Sequence, residues 1–486
     1  MPEGSAAGRL PHVRSRSALL IHPWIADFAA YDFWIQPLGL LFVGGFLRSR
    51  GWDVRLLDAL AGSREEQRAR WDGTAPFAST ETPLPAAGIL PETPSAHRRT
   101  FRRYGVPPEE FERRAAAAPP AGIVLVTLQM TYWYPALEET LALLARTHPE
   151  APIILGGGYA ALLPHHAAAR PGVDAIVSHR LPQQVLPRLC ALIGEPPPLP
   201  EEIDRLTADW DLCETLPHAA ILTSFGCPFR CPYCATSGTF GAWRPRSQEA
   251  LLAEVRSLAS RPGLQHLACY DDALLHRSAE HFLPLVARLA REGWGAPRFR
   301  WHFPNALHAR WLDRHVAAAL RALGTETVWL GVESCDPAFQ ARTGGKVRMR
   351  HVERAVQALE SERARPRHLG AYLLAGVPGL RPETVVQSME RLHGLGIHIA
   401  LAAFSPIPGT PLFGSMVGRE PRLILEPLWQ NNTLRQMADG NTWERLREYA
   451  RALNGRLESS SPGDADRDTR RIDWVPPAKS RERAAR

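Results

Sequence analysis

The sequence predicts an α/β protein with an N-terminal doubly wound parallel sheet, then a partial (βα)6 TIM-type barrel, then a helical C-terminal segment. Three observations lead there. Short apolar runs alternate with stretches of helical periodicity over residues 17–193, and the alternation stops at a proline-rich stretch, GEPPPLPEE (194–202). It restarts for six further strand-helix units over 217–412. Beyond 413 the strands cease, and PLWQNNTLRQM and TWERLREYARALNGRLE carry the spacing of amphipathic helices.

The first block begins with the strand SALLIHPW (17–24), the helix PLGLLFVGGFLRSRG (37–51), ended by Gly51, and the strand WDVRLLDA (52–59). It continues with AGIVLVTLQM (121–130), the helix YPALEETLALLARTHPE, APIILGGGYA (151–160) and VDAIVSHR (173–180). Repeats of this spacing build a parallel sheet with its ligand crevice at the carboxyl ends of the strands. Residues 61–120 interrupt the pattern as an insertion rich in Pro, Ala, Glu and Arg, with room for one short helix near its end. Gly156, Gly157 and Gly158 follow a strand, where they serve either a tight turn or the close approach of a ligand. The chain contains neither GxGxxG nor a P-loop, which disfavours a nicotinamide or ATP site.

After a linker (194–216), strands are expected at 219–225, 264–270, 298–303, 325–333, 368–376 and 397–404. Helices are expected at 247–260, 278–292, 311–323, 350–362 and 382–395. Barrels of βα units carry their chemistry at the carboxyl ends of the strands. Polar residues gather there: Cys227, Cys231 and Cys234 after the first strand, Asp271 and Asp272 after the second, Asn305 and His308 after the third, Glu333 and Ser334 after the fourth. The flanking segments read as an N-terminal extension (1–16), a helical extension (413–459) and a disordered tail (460–486).

Composition narrows the function. A chain of 486 residues, 45% of them hydrophobic, is long enough for two or three domains with real cores. The formal charge is +7, yet lysine occurs only at 346 and 479, so 57 − 2 = 55 basic residues are arginine. That skew reads as compositional bias, and no nucleic-acid partner is predicted from it. No signal-peptide pattern and no 18-residue apolar run occurs, which predicts a cytoplasmic protein without a membrane partner. Seven cysteines, an odd number, argue against a disulfide framework and for metal or redox chemistry where they cluster. Cys190, Cys213, Cys269 and Cys335 are isolated and read as ordinary buried residues.

The cluster is SFGCPFRCPYCATSG (224–238), with CxxxCxxC spacing. Three thiolates on one loop suit iron or zinc. Closed zinc needs a fourth ligand, for which His218 and His266 are the candidates. A cubane iron-sulfur cluster with three protein ligands instead leaves one iron open for substrate or cofactor.

Cys227, Cys231 and Cys234, with Tyr233 before the third, resemble the CxxxCxΦC signature of the radical S-adenosylmethionine (radical SAM) superfamily. The resemblance covers about residues 217–412. It implies that the three cysteines hold a [4Fe-4S] cluster whose fourth iron is chelated by SAM. Electron transfer then cleaves SAM to methionine and a 5′-deoxyadenosyl radical, and the enzyme is oxygen-sensitive. CYDDALL (269–275) resembles the branch's FxDDxF, which carries a role near the SAM amino group over to Asp271 and Asp272; taken from the residues alone, either one could equally cap the next turn. WLGVESCD (329–336) resembles GVESGSD, making Glu333 and Ser334 contacts to SAM, with Cys335 departing from the usual glycine. AYLLAGVPGLRPE (371–383) resembles GLIxGLPGETxE, with Gly376 and Gly379 beside the adenosine, and SPIPGTPLF (405–413) resembles the segment closing the barrel.

RWHFPNALHAR (300–310) offers His302, Asn305 and His308 as groups that hydrogen-bond substrate or move a proton; one or two of them could equally be satisfied core residues. The leading sheet domain (17–193) resembles the cobalamin-binding domain that precedes many radical SAM enzymes. The family's DxHxxG cobalt-ligand motif is absent, so either cobalamin binds without a lower histidine or the domain has lost it. The implied reaction is radical methylation or rearrangement of an unknown substrate, with an electron donor such as flavodoxin or ferredoxin. The alternative is an iron-sulfur or zinc-stabilised binding module without SAM chemistry.

Overall fold

The computed structural model describes residue 10 and residues 13–62, 77–83, 99–438 and 441–459. Most of the expected N-terminal extension (1–16), two stretches of the insertion (63–76 and 84–98) and the expected disordered tail (460–486) lie outside the described residues.

The first block folds as a five-stranded parallel sheet in the order Asp53–Asp58, Ser17–His22, Ile123–Thr127, Ile153–Gly156, Ala175–Ile176. Strand alternation sorts its side chains between two cores. Leu20, Val54, Leu125 and Ile154 face the helices Leu38–Ser49 and Pro182–Ile193. Leu19, Ile21, Val124, Val126 and Leu155 face Pro108–Ala117 and Tyr134–Thr147. Burial on both faces explains why these strands read as continuous apolar runs. The strand order reverses between Ser17–His22 and Ile123–Thr127, which puts the crevice of the sheet at their carboxyl ends.

The insertion contributes more than the one expected helix. Its strands Ser79–Glu81 and Arg102–Tyr104 join Ile25–Asp27 in a three-stranded antiparallel sheet. The stretch expected as a linker is packed rather than extended. Trp210 is 1% exposed, and Gly44 and Gly45 let 207–212 lie on their helix, since an added Cβ would stand 2.5 Å from Leu212 and 2.8 Å from the Thr207 carbonyl oxygen.

The second block is a six-stranded parallel sheet in sequence order: Ala219–Ile221, His266–Cys269, Arg300–Leu307, Thr325–Glu333, His368–Ala375, His398–Ala403. First and last strands do not pair, so the expected partial (βα)6 barrel is what forms. Leu267, Trp301, Phe303, Val328, Leu330 and Leu369 pack outward under the helices. The alternate positions, among them His302, Trp329, Gly370 and Tyr372, point inward. The Trp329 ring lies so close over Gly370 that a Cβ there would stand 2.2 Å from it.

The C-terminal helices do two jobs. Thr442–Ser459 packs against the last barrel strand, and Asn454 pairs with that edge strand through Ile399 N–H (2.8 Å) and C=O (3.0 Å), covering an unpaired edge. Leu428, Leu434 and Met437 enter a core of the N-terminal domain. There Asn431 donates to the buried Asp27 carboxylate at 2.9 Å, so the segment straps the two domains together.

Candidate active site

The three clustered cysteines sit on a loop closed by a small hairpin, Ser224–Phe225 against Arg244–Pro245, just past the first barrel strand. Gly226 opens it at φ +77°, and a Cβ there would stand 2.7 Å from the Gly241 carbonyl oxygen. Cys231 is 7% exposed, Cys227 and Cys234 are half-buried, and all three are free thiols. Burial pushes the Cys227 thiol up to about 11. It raises Cys231 as well, against the opposing pull of Lys346. Thiols held neutral by burial are turned into thiolates by a cationic metal centre, so this donor set fits iron. Among the described residues no three His, Cys, Asp or Glu side chains converge as ligation of one ion requires. His218 lies 3.3 Å from the Gln36 amide, and His266 Nδ1 lies 2.9 Å from His302 Nε2, so both histidines considered for zinc are engaged elsewhere.

Protein groups brace the loop from below. Phe229 stacks on His308 at 5.2 Å and on Trp311 at 5.4 Å, with the Arg310 guanidinium 5.3 Å from its ring centroid. His308 is 6% exposed and held neutral, mainly by burial and then by Lys346 and Arg310. It supports the loop from beneath, where the sequence suggested a proton carrier. Tyr233 buries its hydroxyl beside the Cys231 thiol without a well-aligned hydrogen-bond partner.

The two aspartates separate. Asp271, 2% exposed, accepts from the Thr223 amide (2.9 Å), the Thr223 hydroxyl (2.7 Å) and the Ser224 hydroxyl (2.6 Å). Its carboxylate fastens the segment just past the first strand, the satisfied structural role that the residues alone also allowed. Asp272 stays half-buried, 3.3 Å from the Thr236 hydroxyl, which itself lies 3.4 Å from Cys234 Sγ. Burial raises its carboxyl, opposed by Arg180. Asn305 donates to the carbonyls of Tyr270 (3.0 Å) and Asp271 (3.1 Å), tying adjacent strand ends.

His302 lies on the barrel floor, away from the cysteines. Its register partners are Ala268 and Thr327; Nδ1 lies 2.8 Å from the Thr327 hydroxyl, and Trp34 of the N-terminal domain stacks on the ring at 4.2 Å. Burial, His266 and His218 push it down to about 2, and burial pushes His281 down to about 4. Both stay neutral in the fold. As pH falls through the ordinary histidine value, the unfolded chain takes up protons that the fold refuses. Stability therefore drops by up to ~1.4 kcal/mol per pH unit per histidine. Urea midpoints are expected to fall between pH 7 and pH 5, with a shallower slope in His302→Gln; equal slopes would remove His302 as a source.

At the fourth strand end, Glu333 adopts φ +65°, a left-handed conformation costly for a non-glycine residue, and its carboxylate pairs with the Lys346 ammonium. Burial pulls Lys346 down, but Glu333 and Cys231 outweigh it and hold it above its ordinary value. Ser334 is 1% exposed and its hydroxyl accepts from the Asp336 amide at 3.1 Å, a turn-forming role. Cys335, in place of the usual glycine, is not among the residues with positive φ, so that departure costs the turn nothing. Gly376 (φ +77°) and Gly379 (φ +80°) have open space at their Cβ positions, so backbone conformation is what requires glycine there. Gly157 (φ +90°) and Gly158 are crowded by the protein itself: their Cβ atoms would stand 2.6 Å from the Leu128 and 2.4 Å from the Gln129 carbonyl oxygens. Gly156 has no such crowding. The turn reading accounts for Gly157 and Gly158 without a ligand.

Two residues escaped the sequence reading. Arg180, beyond the last N-terminal strand, donates to Gln129 Oε1 at 3.3 Å and lies 4.3 Å over Phe240, just past the cysteine loop. It therefore sets the carboxyl edge of the N-terminal sheet against the loop. Lys346 carried an overlooked signal, being one of two lysines in a chain of 55 arginines.

Residues 221–392 match the Radical SAM superfamily. An uncharacterized methyltransferase of Pyrococcus horikoshii is 26% identical over 252 residues, 49% of this chain and 52% of that protein. The chain thus spans about half the length of that curated relative. Among solved structures, the radical SAM methyltransferase TsrM from Kitasatospora setae, with tryptophan substrate and a SAM analogue bound, aligns with TM-score 0.61 and 17% identity, covering 83% of this chain and 76% of that one. The cobalamin-dependent enzyme OxsB, with aqua-cobalamin and SAM bound, aligns with TM-score 0.52 and 12% identity, covering 85% and 56%. At these identities the likeness is one of fold, and it extends across both domains.

Proposed function

Residues 221–392 being a radical SAM domain, we propose that the chain is a cobalamin-associated radical SAM enzyme that methylates or rearranges its substrate. The observation that carries this reading is the cysteine loop itself. It holds three free, buried or half-buried thiols at the carboxyl end of a barrel strand, against the carboxyl edge of the N-terminal sheet.

Cys227, Cys231 and Cys234 would hold a [4Fe-4S] cluster; bound there with SAM, it supplies the electron for cleavage to methionine and a 5′-deoxyadenosyl radical. Tyr233 and Phe229 wall and brace the loop. Asp272, half-buried near Cys234, is the carboxylate available to the SAM ammonium. Gly376 and Gly379 leave space for the adenosine. The N-terminal sheet would hold the corrinoid at its strand ends. Its first strand ends in His22, whose Nδ1 lies 2.8 Å from Asp58 Oδ1, and no DxHxxG motif surrounds it.

A one-electron donor such as flavodoxin or ferredoxin and a cytoplasmic location complete the reading; seven free cysteines support a reducing compartment. Among the described residues no helix is long and apolar enough to cross a membrane.

Anaerobic reconstitution followed by reduction tests the proposal. Formation of 5′-deoxyadenosine from SAM is expected, together with corrinoid in the purified protein or taken up from solution. Zinc as the sole metal, without SAM cleavage, would favour a binding module instead. SAM cleavage without corrinoid uptake would leave a radical SAM enzyme that has lost the cofactor of its first domain.

A further inference from the structure

The Glu333–Lys346 pair is built into the wall beside the cysteine loop. Gly344 (φ +95°) and Gly345 (φ +60°) turn the segment after Arg342, and an added Cβ on Gly344 would lie 4.0 Å from the Arg230 carbonyl oxygen of the cysteine loop. Arg310 fastens the same turn, donating to the Gly345 carbonyl at 2.8 Å while lying over Phe229 of the loop. Val347, 3% exposed, anchors the far side.

The turn delivers Lys346 inward onto Glu333, and the two side chains are 14% and 13% exposed. Gly331 makes the room: a Cβ there would stand 3.2 Å from Lys346 Nζ and 3.4 Å from Glu333 Oε1. The ammonium acts electrostatically on Cys231 and Cys234, and the Glu333 carboxylate acts on Cys231 and on Tyr233. Lys346 is a compact ammonium in a chain whose basic residues are otherwise almost all arginine.

Resting on the radical SAM reading, we infer that Lys346 and Glu333 form a charge pair that sets the reduction potential of the cluster held by Cys227, Cys231 and Cys234. The oxidised cluster gains one electron from a low-potential one-electron donor, so its charge becomes more negative by one. A nearby ammonium stabilises the reduced form and a nearby carboxylate opposes it. The pair acts through its field and is a positioning element, with Glu333 balancing an ammonium that would otherwise make the cluster too easily reduced to drive SAM cleavage.

The test is a redox titration of the reconstituted protein without SAM, using dithionite and mediators and reading the reduced-cluster EPR signal. Lys346→Met is expected to lower the potential and Glu333→Gln to raise it. Each should change the reduced-to-oxidised ratio at fixed ambient potential by about tenfold, equivalent to ~59 mV for one electron. Opposite signs support the inference, because loosened packing has no reason to move two variants in opposite directions.

Equal potentials in all three proteins, or shifts of one sign, overturn it while leaving the radical SAM reading intact. A wild-type protein that assembles no [4Fe-4S] cluster overturns both. Should Lys346→Met fail to assemble a cluster, Glu333→Gln decides alone: a rise supports the inference, and no shift or a fall overturns it.

Discussion

Cys231→Ala is expected to lose cluster iron and to reduce 5′-deoxyadenosine formation at least about a hundredfold, beyond what loss of an outer partner of a metal site costs. Cys231 is the most buried of the three thiols, at 7% exposure, and lies in the middle of the loop. Removing its sulfur takes away one proposed ligand without altering the hairpin or the Phe229–His308 stack that hold the loop in place. Without metal, the variant should therefore melt as the wild type does. Iron analysis and product chromatography, set beside thermal unfolding of the metal-free proteins, separate a ligand from a packing residue. Retained iron and turnover would remove Cys231 from the ligand set. Cys190→Ala is the control, since Cys190 is buried in the N-terminal core.

The second large effect is expected on stability. Asp271→Ala should cost about 3–5 kcal/mol, because it leaves the buried Thr223 amide and the Thr223 and Ser224 hydroxyls without their acceptor. Asp272→Ala, removing a half-buried carboxylate whose partners are Thr236, the Asn305 amide and the charge of Arg180, should cost less stability than Asp271→Ala and lower SAM cleavage instead. Urea denaturation and product assays on both variants give opposite patterns if the assignment holds. A stable, inactive Asp271→Ala would reverse the two roles.

Neighbouring aspartates of one motif thus divide into a fastener and a half-buried carboxylate left near the cysteine loop. Sequence alone treats the pair alike, because both follow the same strand. What distinguishes them is the course of the chain just past the strand together with a segment 48 residues away, at Thr223, whose donors meet Asp271.

The same holds for the histidines of RWHFPNALHAR. That His302 points into the barrel follows from its alternation with Trp301 and Phe303. Its position on the floor comes from pairing with Ala268 and Thr327, and from a Trp34 side chain supplied by the other domain. His308 stacks beneath Phe229, a contact between two strand-end loops 79 positions apart in sequence (308 − 229).

The Gly156–Gly158 triplet, open to either reading in sequence, is explained at Gly157 and Gly158 by the crossing chain at Leu128 and Gln129. The C-terminal helices were legible as amphipathic, but what they cover was not. Their apolar faces meet both domains, and Asn431 reaches Asp27 across 404 residues.

By itself the sequence determined the strand-helix alternation, the break between two α/β domains, the open six-unit barrel and the three-cysteine loop at the end of its first strand. These are readable because period, turn residues and ligand spacing are local properties of the chain. Only the tertiary structure decided which polar residue at a strand end faces the cysteines, which is consumed by its own fold, and which lysine is drawn in beside them. Those outcomes depend on strand register and on segments from 36 to 115 positions apart in sequence (272 − 236 and 346 − 231) meeting at one place, and no local pattern encodes them.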